Sequence, residues 1–143
     1  MERIVFDAWA LLAFVFGERE ADSVEKLLRE TEKGGIAAFY SAVNLAEFYR
    51  RICVEGSEED AREKCAWLRN TKLRIVDIDY EQAISAGHLK NKYSSLSYGD
   101  AFAVAAAIDI HADHLVTGDP DFVPIDEIDV ILPSNLCAKI GLE

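Results

Sequence analysis

Four acidic residues scattered along this chain, Asp7, Glu47, Asp100 and Asp119, have the chemistry and the placement to act together. Three of them fall where an apolar strand-like run ends or a helix-like run begins, and Glu47 lies in a helix-like run straight after another strand. In an open parallel α/β sheet such places converge outside the carboxyl ends of the strands. Carboxylates brought together repel one another unless something positive joins them. Hard divalent cations such as Mg²⁺ or Mn²⁺ suit oxygen ligands. The grouping therefore predicts a metal-dependent phosphodiesterase, with a nuclease as the first expectation.

Each residue also has a plain structural explanation. Asp7 can cap the helix that follows it. Asp100 stands three residues after Ser97, the spacing of a capping box. Asp119, within Gly118-Asp119-Pro120-Asp121, can shape a turn. Glu47 can be a solvated helix position, although Val43-Asn44-Leu45-Ala46 and Phe48-Tyr49 make its surroundings largely apolar. Taken singly these explanations suffice. The collection of all four at one sheet edge favours a site.

The elements that must position them follow from periodicity. Apolar runs predict strands at residues 3–6, 36–40, 73–78, 114–117 and 130–132. Between them come helices at about 8–16, closed by Gly17, then 19–33, broken by Gly34-Gly35, then Ser41-capped to about 54, then 58–70 and 80–93. A helix opened by Ser97 is apolar nearly all round and rich in alanine, so it should pack deep against the sheet. Strands alternating with helices predict a parallel sheet covered on both faces. The whole chain, residues 1–143, reads as one α/β domain.

Composition narrows the function. Half the residues are apolar, so the chain can build a core, yet no run approaches the ~18 residues of a membrane helix. Cys53, Cys65 and Cys137 form no C-x-x-C pair, which argues against a zinc ribbon or a disulfide framework and makes a reducing cytoplasm the expected location. A net charge of −11 argues against simple nucleic-acid binding through a basic surface. It is compatible with a nuclease whose bound metal ions offset part of the charge, and it suits a basic protein partner.

Four blocks then occur in order: Asp7 after the opening strand; Ser41 with Glu47; Leu96-Ser97-Tyr98-Gly99-Asp100-Ala101; and Leu115-Val116-Thr117-Gly118-Asp119-Pro120-Asp121-Phe122. Over essentially its whole length the chain resembles the PIN-domain nucleases, and within them the short VapC-like ribonuclease toxins of prokaryotic toxin–antitoxin pairs. The resemblance implies a three-layer α/β/α sandwich with a mainly parallel, about five-stranded sheet. It implies that Asp7, Glu47, Asp100 and Asp119 hold one or two Mg²⁺ or Mn²⁺ ions, with Asp121 as a further ligand and Ser97 and Thr117 as supporting hydroxyls. It also implies an RNA substrate, a cognate antitoxin that packs over the helices and blocks the acidic pocket, and a homodimer. One departure is plain: where the family often carries serine or threonine just after the first acid, this chain has Ala8-Trp9. Trp9 is expected in the core, with base stacking at the site entrance as the other reading.

Lys90, Lys92 and Tyr93, just before the Asp100 helix, are the first choice for RNA contact, ahead of Arg50-Arg51 and of Lys72 with Arg74. His111-Ala112-Asp113-His114 looks like a metal cluster but lies at a helix end, where histidine also suits the dipole, and reads as structural. The run Leu11 to Phe16 reads as core with some interface. A PIN nuclease of RNA processing without an antitoxin, a metal-free PIN scaffold, and a phosphorylated receiver using Asp77 or Asp79 are the competing functions.

Overall fold

The computed structural model describes residues 1–143. The elements run β1 (Glu2–Phe6), α1 (Ala8–Val15), α2 (Ala21–Lys33), β2 (Ile36–Ser41), α3 (Ala42–Glu55), α4 (Glu58–Asn70), β3 (Arg74–Val76), α5 (Tyr80–Lys92), α6 (Tyr98–Asp109), β4 (His114–Val116), β5 (Val130–Ile131) and α7 (Pro133–Ile140). The five strands form one sheet in the order β3-β2-β1-β4-β5. All four pairings are parallel.

The side-chain period of two splits each strand between two cores. Ile4 and Phe6 of β1, Ala38 and Tyr40 of β2 and Val116 of β4 face one core, completed by α1, α2, α3, α4 and α7. Val5, Phe39 and Leu115, their neighbours one residue on, face the other, completed by α5 and α6. Register fixes this division: Phe6 pairs with both Tyr40 and Val116, and Val5 with both Phe39 and Leu115. The small side chains of α6 let it lie close to the sheet, with Ala101 and Ala103 to Ala107 all buried. The sandwich is the expected one. No helix is long and apolar enough to cross a membrane.

The strand order also separates two families of doubly wound sheet. A receiver-type sheet runs 2-1-3-4-5, whereas this one runs 3-2-1-4-5. Asp79 caps α5 by accepting from the Gln82 N–H at 2.8 Å. The receiver reading is therefore set aside.

Two boundaries differ from expectation, both at sheet edges. The third strand is confined to 74–76 and the fifth to 130–131, because each pairs on one side only and its flanks turn away. The sequence reading also lacked α7. Pro133 opens that helix, Leu136 and Cys137 are buried, and Gly141 closes it at φ 77°. The Ser134 N–H donates to Glu20 at 2.8 Å and ties the helix back to the start of α2.

The His111–His114 segment sits at the opposite end of the sheet from the acids. His114 is buried, with Nδ1 2.5 Å from Asp129 and Nε2 3.6 Å from Glu2. Asp113 pairs with the Arg3 backbone in both directions, at 2.8 and 2.7 Å. These contacts tie β1, β4 and the approach to β5 together. His114→Ala is expected to lower stability by about 2 kcal/mol, by removing a buried hydrogen-bonded side chain. Urea unfolding should show the lower midpoint.

Candidate metal centre

The chain goes from β1 outward to β2 and β3, then returns to place β4 on the other flank of β1. Ligands in such sheets bind at this switch point, beyond the strand ends. Asp7 leaves β1 there, and Thr117 and Asp119 leave β4 there. The Asp7 N–H still reaches the Val116 carbonyl, so the two strand ends stay side by side.

Local capping and convergence turn out to be one arrangement. Asp7 caps α1, with Oδ1 accepting from the Ala10 N–H at 3.1 Å and Oδ2 from the Thr117 hydroxyl at 2.7 Å. Asp100 and Ser97 form a full capping box on α6. Asp119 accepts from the Asp121 N–H at 2.9 Å, and its own N–H donates to Thr117 Oγ1 at 3.1 Å. Each cap fixes its carboxylate at a helix or turn start, and topology brings those starts together. The Thr117 hydroxyl thus meets the Asp7 carboxylate, and Ser97 meets Asp100 through its own N–H to the carboxylate and its hydroxyl to the backbone N–H.

Asp100, Asp119 and Asp121 present carboxylate oxygens that all lie within 4.8 Å of one another. Asp7, Glu47, Asp100 and Asp119 line one cleft of about 780 Å³, together with Asn44. Asp121 therefore joins the cluster from outside the cleft wall.

Electrostatics show what the cluster lacks. Burial pushes Asp7 up to about 7; the Asp100 and Asp119 charges add to this, and its two hydrogen bonds oppose it. Burial likewise raises Asp100, with Asp119 and Asp121 adding and the Ser97 contacts opposing. Burial raises Glu47 too; the Asn44 amide opposes, and the Asp100 charge adds. The ion pairs of the protein all lie elsewhere. Convergent carboxylates that form no ion pair with a basic side chain are a donor set that fits a hard divalent cation.

Two glycines shape the walls. A Cβ on Gly99 would overlap the Glu47 carboxylate, so the bare backbone lets Glu47 lie against the start of α6. A Cβ on Gly118 would overlap the Trp9 ring. Trp9 is partly buried, packs on the first core and also lines the cleft beside Ala8, Leu12, Ala13 and Phe16. In the Leu11–Phe16 run, Leu11 and Ala13 are buried, and Phe14 stacks on Trp67 at 5.6 Å.

The residues first chosen for RNA contact are placed differently. Lys90 donates to the Ser94 and Leu96 carbonyls and closes the loop before α6. Lys92 pairs with Glu127 at 2.9 Å, and the Tyr93 hydroxyl donates to Glu127 at 2.7 Å and to Asp126 at 3.0 Å. None of the three lines the cleft, whose basic side chains are Arg19, Arg50 and Arg51. Lys90 is tied to loop carbonyls, and Lys92 and Tyr93 to Glu127, which holds all three off the cleft. Arg50 and Arg51 had a usable signal: they follow Glu47 by three and four residues, on the same face of α3.

Residues 4–128 match the PIN domain family, and the chain belongs to it. No curated protein matches the chain in sequence. Among solved structures it is similar to VapBC2 of Rickettsia felis bound to a promoter DNA fragment, with 18% identity, a TM-score of 0.72, and 91% and 98% of the two chains covered. It is similar to VapC20 of Mycobacterium tuberculosis, described as a sarcin-ricin-loop-cleaving toxin, with 15% identity, TM-score 0.71 and coverage of 88% and 98%. A toxin–antitoxin complex of Klebsiella pneumoniae is similar as well, with 20% identity, TM-score 0.65 and coverage of 91% and 97%. At these identities the likeness is one of fold.

Proposed function

We propose that the protein is a Mg²⁺- or Mn²⁺-dependent endoribonuclease and the toxin of a toxin–antitoxin pair. The observation that carries this reading is the convergence of Asp100, Asp119 and Asp121 beside the cleft that Asp7 and Glu47 line. Membership of the PIN family and likeness in fold to toxins of toxin–antitoxin pairs support it.

In this reading Asp7, Asp100 and Asp119 hold the metal, with Asp121 and Glu47 completing the set. The chemistry such an ion supplies is neutralisation of charge on the phosphate and acidification of water. The chain's own residues do the rest. Thr117 and the α1 backbone hold Asp7 in place, and the capping box holds Asp100. Arg19, Arg50 and Arg51 take the RNA phosphates, as local bases on an acidic protein, and the Trp9 ring offers a stacking face beside the acids. The apolar wall of Leu12 and Phe16 suits a segment of an antitoxin that occludes the cleft. The reading includes a homodimer and a cytoplasmic site of action.

The test is incubation of purified, antitoxin-free protein with mixed labelled RNAs and Mn²⁺ or Mg²⁺, against excess EDTA. Cleavage that needs the metal supports the reading; cleavage that persists in EDTA overturns it. Arg50→Ala with Arg51→Ala is expected to raise KM about tenfold or more with kcat little changed. It should also flatten the salt dependence of RNA binding by up to about two ion equivalents. An unchanged salt slope would remove these arginines from the phosphate track.

A further inference from the structure

Asn44 is a buried amide wedged between two elements of the cleft. It is 1% exposed, in the first turn of α3. Its Nδ2 donates to Glu47 Oε1 at 2.7 Å and to the Gly99 carbonyl at 3.2 Å. One amide nitrogen thus grips both the carboxylate and the backbone at the start of α6. The two acceptors fix the orientation of the amide, since a flipped one would turn its oxygen on two other oxygens. The price is visible at Oδ1, which is buried with no donor. A buried amide left half-satisfied is a poor choice for stability alone.

Glu47 needs such a grip. It sits against a bare backbone at Gly99 and feels the repulsive charge of Asp100. Arg50 and Arg51 line the same cleft and offer it an alternative direction. A neutral donor can hold Glu47 beside the other acids without quenching the charge that a cation needs, which an arginine or lysine would do.

We propose that Asn44 is a positioning residue, which holds the Glu47 carboxylate toward the metal cluster and locks α3 to the start of α6. The inference rests on the nuclease reading and adds to it a residue that does not itself touch metal or substrate. Groups that orient metal ligands in this way typically carry about 10–100-fold in metal affinity or activity.

The test is a double-mutant cycle of Asn44→Leu and Glu47→Ala, with Asn44→Ser as a second variant in case the leucine isostere does not fold. Mn²⁺ affinity is read by calorimetry, RNA cleavage by kcat and KM, and folding by thermal unfolding. Expected is about a 10–100-fold loss in Mn²⁺ affinity or kcat for Asn44→Leu, with KM and the thermal midpoint little changed. In the Glu47→Ala background the same change should have no further effect, because its target is gone. A full additional loss in that background would overturn the proposal while leaving the nuclease reading intact. So would wild-type Mn²⁺ affinity and kcat in a folded Asn44 variant. If the wild-type protein itself neither binds Mn²⁺ nor cleaves RNA, the nuclease reading falls and takes this inference with it.

Discussion

Asp100→Asn should lower metal-dependent RNA cleavage by roughly 10³-fold while leaving the protein folded. Removal of a single group that stabilises developing charge commonly costs 10²–10³, and a direct ligand removes at least that much. Folding should survive because asparagine keeps an acceptor for the Ser97 N–H, and the Ser97 hydroxyl still caps the helix. The substitution also relieves repulsion from Asp119 and Asp121. The measurement is single-turnover cleavage under Mn²⁺, with thermal unfolding of the same sample. Wild-type rates in the folded variant would sink the assignment of the acidic cluster.

The second large effect is on stability and has the opposite sign. Asp7 is almost wholly buried, and its carboxyl is pushed up to about 7 from an ordinary 3.8. A raised carboxyl means that the folded state holds its proton more tightly than the unfolded chain does. The stabilising contribution is complete below about pH 4, declines as pH rises, and is gone above about pH 7. In metal-free protein at pH 8, Asp7 is ionised in a site that resists the charge. Asp7→Asn should therefore raise the stability of metal-free protein at pH 8 by about 2–4 kcal/mol, with little gain at pH 4. The same change should abolish cleavage. Mn²⁺ should narrow the gap at pH 8 and close it at about 1,000 times Kd, where binding adds about 4.1 kcal/mol to the wild type alone. Thermal unfolding at pH 4 and pH 8, with and without Mn²⁺, measures all of this. A metal-free Asp7→Asn variant no more stable than wild type at pH 8 would show that burial does not tax this carboxylate.

The sequence exposed the architecture well because the strands and helices have clean periods. Ile4, Val5 and Phe6 alternate between two cores, and the alanines of the Ser97 helix announce close packing. Asp7, Asp100 and Asp119 were legible for a related reason: each caps the element it starts, so its position along the chain is tied to a strand or helix end. What stayed hidden depends on distance through space. The Lys90 and Lys92 side chains look like free cations until the Ser94–Leu96 carbonyls and Glu127 are seen beside them. Asn44 reads as an ordinary helix residue until Gly99 is brought against it from 55 positions away. The helix after residue 132 was missed because its signals, a proline, two buried residues and a glycine, fit within 9 residues, Pro133 to Gly141.

The return of β4 to the flank of β1 bears on when the proposed activity can first arise. Strands β1, β2 and β3 are complete by Val76, yet Asp119 and Asp121 belong to the segment that follows β4. Chains emerge from the ribosome N-terminus first, and a strand cannot pair before it has been made. A nascent chain that stops short of residue 114 has Asp7 and Glu47 but no Thr117 to seat Asp7 and no partner strand to frame the switch point. The proposed cutting activity thus cannot arise while the first four-fifths of the protein is being synthesised. The gene order of the acids, with two of the five in the last quarter of the chain, delays assembly of the blade until the message that encodes it has almost been read through.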